Sequence, residues 1–206
     1  MSLAQELEKG IRDQGLDVGE DKQQKLLSFV GLLQKWNKVY NLTAIRNPEQ
    51  MISHHLLDSL SVLPHMWAGR WLDVGCGAGL PGLVIAIARP DWPMTLIDSN
   101  SKKTSFVQQV IIELDLQNVK VKCVRVEDMK ADEKFDGIIS RAFAETADFV
   151  ELTRHLMAEQ GRWAAMKGAP EQELERLPGD IVVERIIPLM VSGLDAARCL
   201  VLLKAK

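Results

Sequence analysis

The most informative residues of the chain are three alternate glycines, Gly75, Gly77 and Gly79, which follow Asp73 at the end of an apolar stretch. Glycine permits backbone torsions with positive φ and lets a ligand approach the backbone closely. An apolar helical pattern begins directly after them, and the first turn of a helix offers free N–H groups and a partial positive charge. These features predict a loop that binds a ligand carrying a carboxylate or a phosphate.

The spacing of the glycines distinguishes between cofactors. A dinucleotide site requires Gly-x-Gly-x-x-Gly, and the position of its third glycine is Leu80 in this chain. The run from Asp73 to Gly79 instead has the form Asp-x-Gly-x-Gly-x-Gly, which is typical of S-adenosylmethionine sites. We expect Asp73 to bind the methionine ammonium, directly or through water, and Asp98, at the end of the next strand, to bind the ribose hydroxyls.

Further candidates for the same site come from the loop itself and from the third strand. Gly75 and Gly77 are expected to contact the cofactor through their backbone. Val126 and Glu127, just past the third strand, are placed to flank the adenine, with a solvated acidic loop as the alternative. Leu80 is a candidate for covering the cofactor, and a core leucine fits the pattern equally well.

Three cations stand at the ends of successive predicted strands: Arg125 after the third, Arg141 after the fourth and Lys167 after the fifth. The carboxyl ends of parallel strands meet at one edge of a sheet, so we predict a positive rim at the mouth of the cofactor site. Such a rim indicates a phosphate-bearing substrate, because nucleic-acid affinity comes largely from backbone phosphates. The alternative is that each cation pairs with a nearby carboxylate, such as Glu127 or Glu145.

Other chemistries are disfavoured. The fourth strand is not followed by the Asn/Asp-Pro-Pro-Tyr motif with which many methyltransferases grip a planar amino group. Cys76, Cys123 and Cys199 have neither the spacing of a zinc or redox site nor the placement of a pyrimidine C5 nucleophile. We therefore expect three inert, packed cysteines and no metal.

The first 66 residues have the periodicity of helices. Asn47 is predicted to cap a helix that begins at Pro48 and continues through residue 60. His54 and His55 are adjacent on this helix and therefore face different directions. We assign structural roles to both, with His55 paired to Asp58 at helical spacing, and we expect this region to cap the sheet and help to hold the substrate.

After residue 66, strands alternate with helices. Strands are predicted at 70–74, 94–98, 119–124, 135–140, 161–167, 181–188 and 197–204, with helices at 80–88, 101–114, 144–157 and 170–177. The alternation implies a mostly parallel sheet covered on both faces, and the last two strands imply an antiparallel edge hairpin. We predict a Rossmann-like α/β fold of the class I methyltransferase type, with a seven-stranded sheet. A helical cap (1–66) and a methyltransferase domain (67–206) would form one compact unit.

Composition limits the class of protein further. The chain has 206 residues, of which 47% are hydrophobic and 26% charged, which suits one globular domain. Its formal net charge of −3 argues mildly against a protein that coats nucleic acid but permits a local basic patch. No secretory signal is evident, no apolar run approaches the about 20 residues that span a bilayer, and the cysteine usage suits a reducing compartment. We expect a soluble, cytoplasmic protein with no membrane partner.

Five stretches of sequence, distributed over most of the chain, carry a resemblance to a known family. They are 36–45, 55–60, 73–82, Asp98-Ser99 with Lys102, Lys103 and Phe106, and Ser140-Arg141-Ala142. The glycine loop alone occurs in very many methyltransferases. In combination with Asn41-Leu42-Thr43 and Ser140-Arg141-Ala142, the chain resembles the bacterial 16S ribosomal RNA guanine-N7 methyltransferase family, also called glucose-inhibited division protein B.

The resemblance implies methyl transfer from S-adenosylmethionine to N7 of a guanine in the 530 loop of 16S ribosomal RNA, with the RNA presented in a 30S particle to a monomeric enzyme. It implies cofactor contacts by Gly75, Leu80, Val126, Glu127 and Arg141. It implies an RNA entrance formed by Arg125, Arg141 and Lys167. Guanine N7 already carries an in-plane lone pair, so Arg141 would position the substrate and no general base is expected. The alternatives are a methyltransferase for another RNA or for a small molecule, an oxidoreductase, and a non-enzymatic binding module.

Overall fold

A seven-stranded sheet forms the centre of the protein in the computed structural model, which describes residues 1–130 and 132–206. The strands are β1 (Trp71–Val74), β2 (Met94–Asp98), β3 (Val119–Cys123), β4 (Phe135–Arg141), β5 (Met157–Lys167), β6 (Ile181–Pro188) and β7 (Cys199–Ala205). Their order is β3-β2-β1-β4-β5-β7-β6. Strands β1 to β5 pair in parallel, whereas β7 is antiparallel to both β5 and β6. The predicted Rossmann-like α/β fold with an antiparallel C-terminal hairpin is confirmed.

Helices surround this sheet. The α-helical segments are α1 (Leu3–Asp13), α2 (Glu20–Tyr40), α3 (Pro48–Met51), α4 (Asp58–Leu60), α5 (Gly82–Ala88), α6 (Ser101–Glu113), α7 (Thr146–Thr153) and α8 (Glu171–Leu174). Short 3₁₀ turns occupy Leu63–His65, Val126–Asp128 and Arg154–Leu156. Within the described part of the chain, no helix combines the length and the apolar character that crossing a membrane requires.

The strand and the helix on either side of the glycine loop are wholly buried. Every residue of β1 and of α5 is buried. A parallel strand covered on both faces has no solvent side, so it consists of a nearly continuous apolar run. The strand order reverses between β1 and β4, and in such sheets ligands bind in the crevice beyond the carboxyl ends of the strands at that point. The glycine loop leaves β1 at this crevice.

The N-terminal helices share one hydrophobic core with the sheet. Leu7 of α1 and Phe29 of α2 are fully buried in the same apolar cluster as Trp71 of β1. A continuous core of this kind favours one compact unit. The division into a cap (1–66) and a methyltransferase domain (67–206) stays a prediction.

The helix that begins at Pro48 changes its hydrogen-bonding pattern along its length. The Asn47 side chain accepts a hydrogen bond from the backbone of the first turn, as the cap prediction requires. A π-helix then runs over Ile52–Leu57 and contains both His54 and His55. π-helical turns are rare and occur frequently at functional sites. Their wider turn changes which side chains share a face, and the sequence predicted an ordinary helix here.

Candidate functional site

The loop after β1 has the backbone geometry that requires glycine. The φ angle is 68° at Gly75, 55° at Gly77 and 83° at Gly79. This left-handed region costs residues with a side chain roughly 1–2 kcal/mol. A Cβ atom on Gly75 would lie 2.5 Å from Cδ2 of Phe143. The Phe143 ring therefore packs directly against the Gly75 backbone and leaves no room for a side chain there.

Two buried carboxylates hold the loop in place. Asp98 Oδ2 accepts a hydrogen bond from the Gly77 N–H at 3.0 Å, and Asp98 Oδ1 accepts one from the Asn100 N–H at 2.8 Å. Asp73 Oδ2 accepts a hydrogen bond from the Gly82 N–H at 2.8 Å. Hydrogen bonds to an ionised acceptor are the stronger kind. The two acidic residues thus tie the loop to β2 and to the start of α5.

A cleft of about 290 Å³ opens beside the loop, and we call it the first cleft. Its lining consists of Val74, Gly75, Ile97, Asp98, Ser99, Lys103, Val124, Arg125, Val126, Glu127, Ala142 and Phe143. Four residues predicted to bind the cofactor are thereby brought together: Gly75, Asp98, Val126 and Glu127. Arg125, predicted to bind RNA, lies in the same wall and is exposed.

Sequence reasoning missed several residues of the first cleft. Lys103 contributes a cation whose Nζ lies 3.9 Å from Asp98 Oδ2. Ser99 and Phe143 also line the cleft. Lys103 and Ser99 belong to one of the stretches that carry the family resemblance, which was the available signal, but their residue types alone suggested no role.

Asp73 is not among the residues that line the first cleft, because its side chain is fully buried beneath the loop. Burial raises the pKa of Asp73 to about 7, while the Gly82 N–H and Arg141 act in the opposite direction. Its second oxygen, Oδ1, is buried without a hydrogen-bond partner among the described residues. An unpartnered buried carboxylate oxygen is costly, and a cationic group would satisfy it. This oxygen and the first cleft beside Gly75 therefore fit a cofactor with an ammonium group.

Leu80 lies outside the first cleft. It is buried in the apolar cluster that includes Leu83 and Leu96. Leu80 is therefore a core leucine, which was the alternative interpretation of the sequence. Gly77 is also absent from the lining, and its N–H donates to Asp98.

A second cleft of about 490 Å³ adjoins the first, and the two share Ala142. It is lined by Ile45, His54, His55, Asp58, Arg141, Ala142, Met166, Lys167, Gly168, Glu173 and Arg198. The residues come from the segment before α3, from the π-helix, from the start of α4, from the ends of β4 and β5, from α8 and from the segment before β7. The helical region and the sheet therefore build this cleft together.

Arg141 lies in the wall of the second cleft rather than the first. Its Nη1 donates to Asp58 Oδ2 at 2.7 Å and to the His54 carbonyl at 3.0 Å. Arg198 Nε lies 3.4 Å from the other oxygen of Asp58, whose side chain is 2% exposed. The predicted pairing of Asp58 with His55 is wrong, because the carboxylate turns toward the two arginines instead.

Lys167 is also paired in the second cleft. Its Nζ donates to Glu173 Oε2 at 2.6 Å and to the Ala144 carbonyl at 2.8 Å. Although burial alone would raise the pKa of Glu173, hydrogen bonds from Lys167 and Thr146 lower it below its usual value. Arg125, Arg141 and Lys167 therefore do not form one rim at the mouth of the first cleft. They are divided between two adjoining clefts, and two of them are neutralised by carboxylates.

The two histidines of the π-helix both contribute to the lining of the second cleft, and their rings have different partners. His54 Nδ1 lies 2.8 Å from Ser53 Oγ. His55 Nε2 lies 3.0 Å from Thr43 Oγ1. Burial, together with the charge of Arg141, lowers the pKa of His55 to about 4, so its ring is neutral near pH 7.

The cysteines are not in positions that suggest chemistry. Cys76 and Cys199 are buried, as predicted, whereas Cys123 is exposed. The prediction of a packed Cys123 is wrong because β3 is an edge strand with several solvent-facing side chains. Burial raises the pKa of the Cys76 and Cys199 thiols. No group of three or more His, Cys, Asp or Glu side chains suited to a metal ion occurs within residues 1–130 and 132–206.

The fold matches known methyltransferases. The structure of the glycopeptide N-methyltransferase MtfA complexed with S-adenosylmethionine superposes with a TM-score of 0.64 and 10% sequence identity, covering 74% of this chain and 95% of that chain. A likeness at this low identity establishes the fold. With the glycine loop and the first cleft, it defines a class I methyltransferase whose cofactor is S-adenosylmethionine.

Sequence comparison identifies the family. The family model described as rRNA small subunit methyltransferase G matches residues 22–201. A protein of Methylobacillus flagellatus named ribosomal RNA small subunit methyltransferase G is 54% identical over 99% of both chains. A protein of the same name from Laribacter hongkongensis is 51% identical over 98% of both chains. The chain belongs to the rRNA small subunit methyltransferase G family.

Proposed function

We propose that this protein transfers a methyl group from S-adenosylmethionine to N7 of a guanine in the 530 loop of small-subunit ribosomal RNA. The observation that carries the proposal is a second cleft that meets the cofactor cleft at Ala142. Three cations (Arg141, Lys167 and Arg198) and two carboxylates (Asp58 and Glu173) line it, so one positive charge remains in excess, which suits a base attached to a phosphate backbone. Both relatives are named ribosomal RNA small subunit methyltransferase G, which supports ribosomal RNA as the substrate.

The residues of the first cleft fit S-adenosylmethionine, which supplies an electrophilic methyl group when bound. We assign the ribose hydroxyls to Asp98, whose carboxylate retains lone pairs beyond its two backbone hydrogen bonds. Val126 and Glu127 would flank the adenine, and the Gly75 backbone would lie against the cofactor. Asp73 Oδ1 would receive the ammonium, directly or through water.

The remaining predicted contacts are indirect in this arrangement. Gly77 acts by holding Asp98 in position. Leu80 supports the loop from the core. Arg141 lines the second cleft and directly precedes Ala142, the residue that both clefts share.

Arg141 acts as a positioning group in this proposal. Asp58 and the His54 carbonyl hold its guanidinium in the wall of the second cleft. A bidentate arginine contact to guanine O6 and N7 would block the nitrogen to be methylated. Arg141 therefore orients phosphate or sugar, and exposed Arg125 contacts phosphate at the rim of the first cleft. Lys167, held by Glu173, contributes less charge to RNA than the sequence suggested.

No protein base is required for this reaction. The N7 lone pair lies in the plane of the base and bears no proton, so the protein contributes by orienting the base. His55, the neutral histidine of the second cleft, is hydrogen-bonded to Thr43.

We further propose that the enzyme acts in the cytoplasm as a monomer on a 30S particle. Contact with a small patch of RNA is sufficient there, despite the net charge of −3 on the protein.

Labelled methyl transfer tests the proposed function. The protein is incubated with radiolabelled S-adenosylmethionine and with free 16S ribosomal RNA, 30S particles lacking the modification, or 70S ribosomes. We expect label in the 30S particle at N7 of one guanine of the 530 loop. Label at another base, or transfer only to small molecules, would show that the enzyme has a different substrate. Binding of the cofactor without transfer to any ribosomal particle would indicate a binding module.

The buried carboxylate of Asp73 predicts a pH-dependent cofactor affinity. With a pKa of about 7, Asp73 is protonated in the free protein at lower pH and must ionise to pair with an ammonium. We expect the Kd for S-adenosylmethionine to be roughly tenfold weaker at pH 6 than at pH 8, with proton release at pH 6. Titration calorimetry in buffers of different ionisation enthalpy measures both quantities.

Two variants serve as comparisons for this prediction. Asp73→Asn should bind more weakly and lose the pH dependence, because its amide does not ionise. Asp91→Asn, at an exposed carboxylate outside both clefts, should behave as the wild type. An unchanged pH profile in Asp73→Asn would show that another group is responsible.

A further inference from the structure

A third cleft lies at the carboxyl end of α2 and encloses about 220 Å³. Its lining consists of Gln34, Asn37, Lys38, Arg46 and Met51. Two of these residues are cations, and the described residues contribute no carboxylate to the lining. The first and second clefts, by contrast, each contain two carboxylates. Because clefts lined by one sign of charge concentrate counter-ions, the third cleft is the most favourable of the three for an anion.

The two cations of the third cleft are not neutralised by the protein. Lys38 and Arg46 are exposed, and in residues 1–130 and 132–206 neither lies within 4.0 Å of a carboxylate oxygen. The acidic residue nearest to Arg46 along the chain, Glu49, is exposed in the first turn of α3. Arg141 and Lys167 of the second cleft, in contrast, are both paired with a carboxylate. The third cleft therefore offers two positive charges to a ligand.

Hydrogen bonds fix the shape of the loop that carries Arg46. Asn37, which is 4% exposed, accepts a hydrogen bond from the Thr43 N–H at 2.9 Å and donates one to the Ile45 carbonyl at 3.3 Å. Arg46 Nη2 donates to Oδ1 of Asn41 at 3.1 Å. A guanidinium has five N–H donors, so most of those of Arg46 are left for a ligand. Since the loop is already ordered, binding costs less conformational entropy.

The third cleft adjoins the second through this loop. Ile45 lines the second cleft, whereas Arg46, the next residue, lines the third. Consecutive Cα atoms are about 3.8 Å apart, so the two clefts are close neighbours on the protein surface. A polymer that places one of its units in the second cleft therefore has its adjacent units within reach of the third.

The end of α2 also exposes apolar side chains beside these cations. Val39 is 70% exposed and Tyr40 is 43% exposed, and the Tyr40 ring lies 5.3 Å from the Trp36 ring between centroids. Surfaces that bind single-stranded nucleic acids combine cations along the backbone with aromatic side chains on which bases stack. The combination at the end of α2 therefore favours RNA over a small free anion.

We propose that Lys38 and Arg46 form a second RNA-binding site, which holds backbone phosphates of nucleotides adjacent to the target guanine. The inference rests on the proposed function. Arginine and lysine are common partners of phosphate oxygens, and such contacts fix the position of a nucleic acid without reading its sequence. The third cleft thus supplies affinity and orientation, while methyl transfer takes place where the first and second clefts meet.

The salt dependence of binding to 30S particles that lack the modification tests the inference. Each phosphate contact releases counter-ions and contributes about 0.7 to the slope of log K against log[salt] for a single strand. Lys38→Gln combined with Arg46→Gln should therefore make the slope shallower by about one to two and raise the Kd roughly tenfold at about 0.15 M salt. The KM for methylation should rise more than kcat falls. A merely structural role at the end of α2 would change stability but not this slope.

Two other double variants are matched controls. Lys38→Arg with Arg46→Lys retains both charges and should keep the slope of the wild type. Arg12→Gln with Lys122→Gln removes two exposed cations that line none of the three clefts, and it should keep the slope as well. An unchanged slope in Lys38→Gln with Arg46→Gln would overturn the inference. Equal changes of slope in all three double variants would also overturn it, because the effect would then belong to the overall charge.

Photochemical cross-linking identifies the partner and tests the inference even if a charge variant fails to fold. p-Benzoylphenylalanine in place of Val39, the exposed residue next to Lys38, should cross-link to the 16S RNA of the particle on irradiation. A cross-link to a ribosomal protein alone, or to neither RNA nor protein, would overturn the inference. If the wild type does not methylate the 30S particle at all, the proposed function fails. If it does so and the third cleft affects neither the salt slope nor the cross-link, only the second RNA-binding site fails.

Discussion

Replacing Gly75 with alanine should raise the Kd for S-adenosylmethionine by about a hundredfold or more, which corresponds to roughly 2.7 kcal/mol. The new Cβ would lie 2.5 Å from Cδ2 and 3.3 Å from Cβ of Phe143. Both Gly75 and Phe143 line the first cleft, so the ring is forced into the space that the cofactor needs. Phe143 also packs edge-on against Phe149, at 6.4 Å between ring centroids, which limits its retreat. Titration calorimetry measures the Kd directly.

Gly15 offers a matched control for backbone strain. Its φ of +67° is almost that of Gly75, at +68°, but a Cβ there would meet nothing within 4 Å. Gly15→Ala should therefore destabilise the fold by about 1–2 kcal/mol through strain alone and leave the Kd unchanged. Equal affinities of Gly75→Ala and the wild type would show that the cofactor does not approach the loop at this residue.

Replacing Asp58 with alanine should lower the free energy of unfolding by about 3 kcal/mol, because it breaks a buried ion pair and leaves its partners without a counter-charge. Arg141 and Arg198 both lie against the Asp58 carboxylate, whose side chain is 2% exposed. Methyl transfer should fall as well, since Arg141 loses the contact that holds it in the second cleft. Asp58→Asn keeps the volume but not the charge and should be intermediate. Urea denaturation and labelled transfer measure the two effects.

The exposed pair of Arg89 and Asp91 provides the comparison. Arg89 Nη2 lies 2.7 Å from Asp91 Oδ2, as close as the contact between Arg141 and Asp58, but the two side chains are 40% and 58% exposed. Exposed pairs contribute about 0–1 kcal/mol, so Asp91→Ala should change stability little. Similar losses in Asp58→Ala and Asp91→Ala would contradict a structural role for the buried cluster. Full methylation together with full cofactor affinity in Arg141→Ala would contradict a role for Arg141 itself.

The sequence alone was sufficient for features that depend on local torsions and on hydrophobic periodicity. The glycines at positions 75, 77 and 79 all have positive φ, as their type and spacing predict. The buried parallel strands β1, β2 and β4 follow largely apolar runs, which parallel strands require when both faces are covered. Asp98 ends β2, whereas Val126 and Glu127 follow β3, and these neighbouring parallel strands bring the three residues to the same cleft.

Only the tertiary structure decided how the charges of the site are paired. Arg141 contacts Asp58, 83 residues earlier in the chain, because the helical region packs against the end of β4. Lys167 pairs with Glu173, so two of the three predicted cations are neutralised. His54 and His55 line the second cleft together with Arg141 and Arg198, which are distant from them in the chain. Pairing between distant segments depends on the packing of whole elements, and residue types and their spacing along the chain do not contain that information.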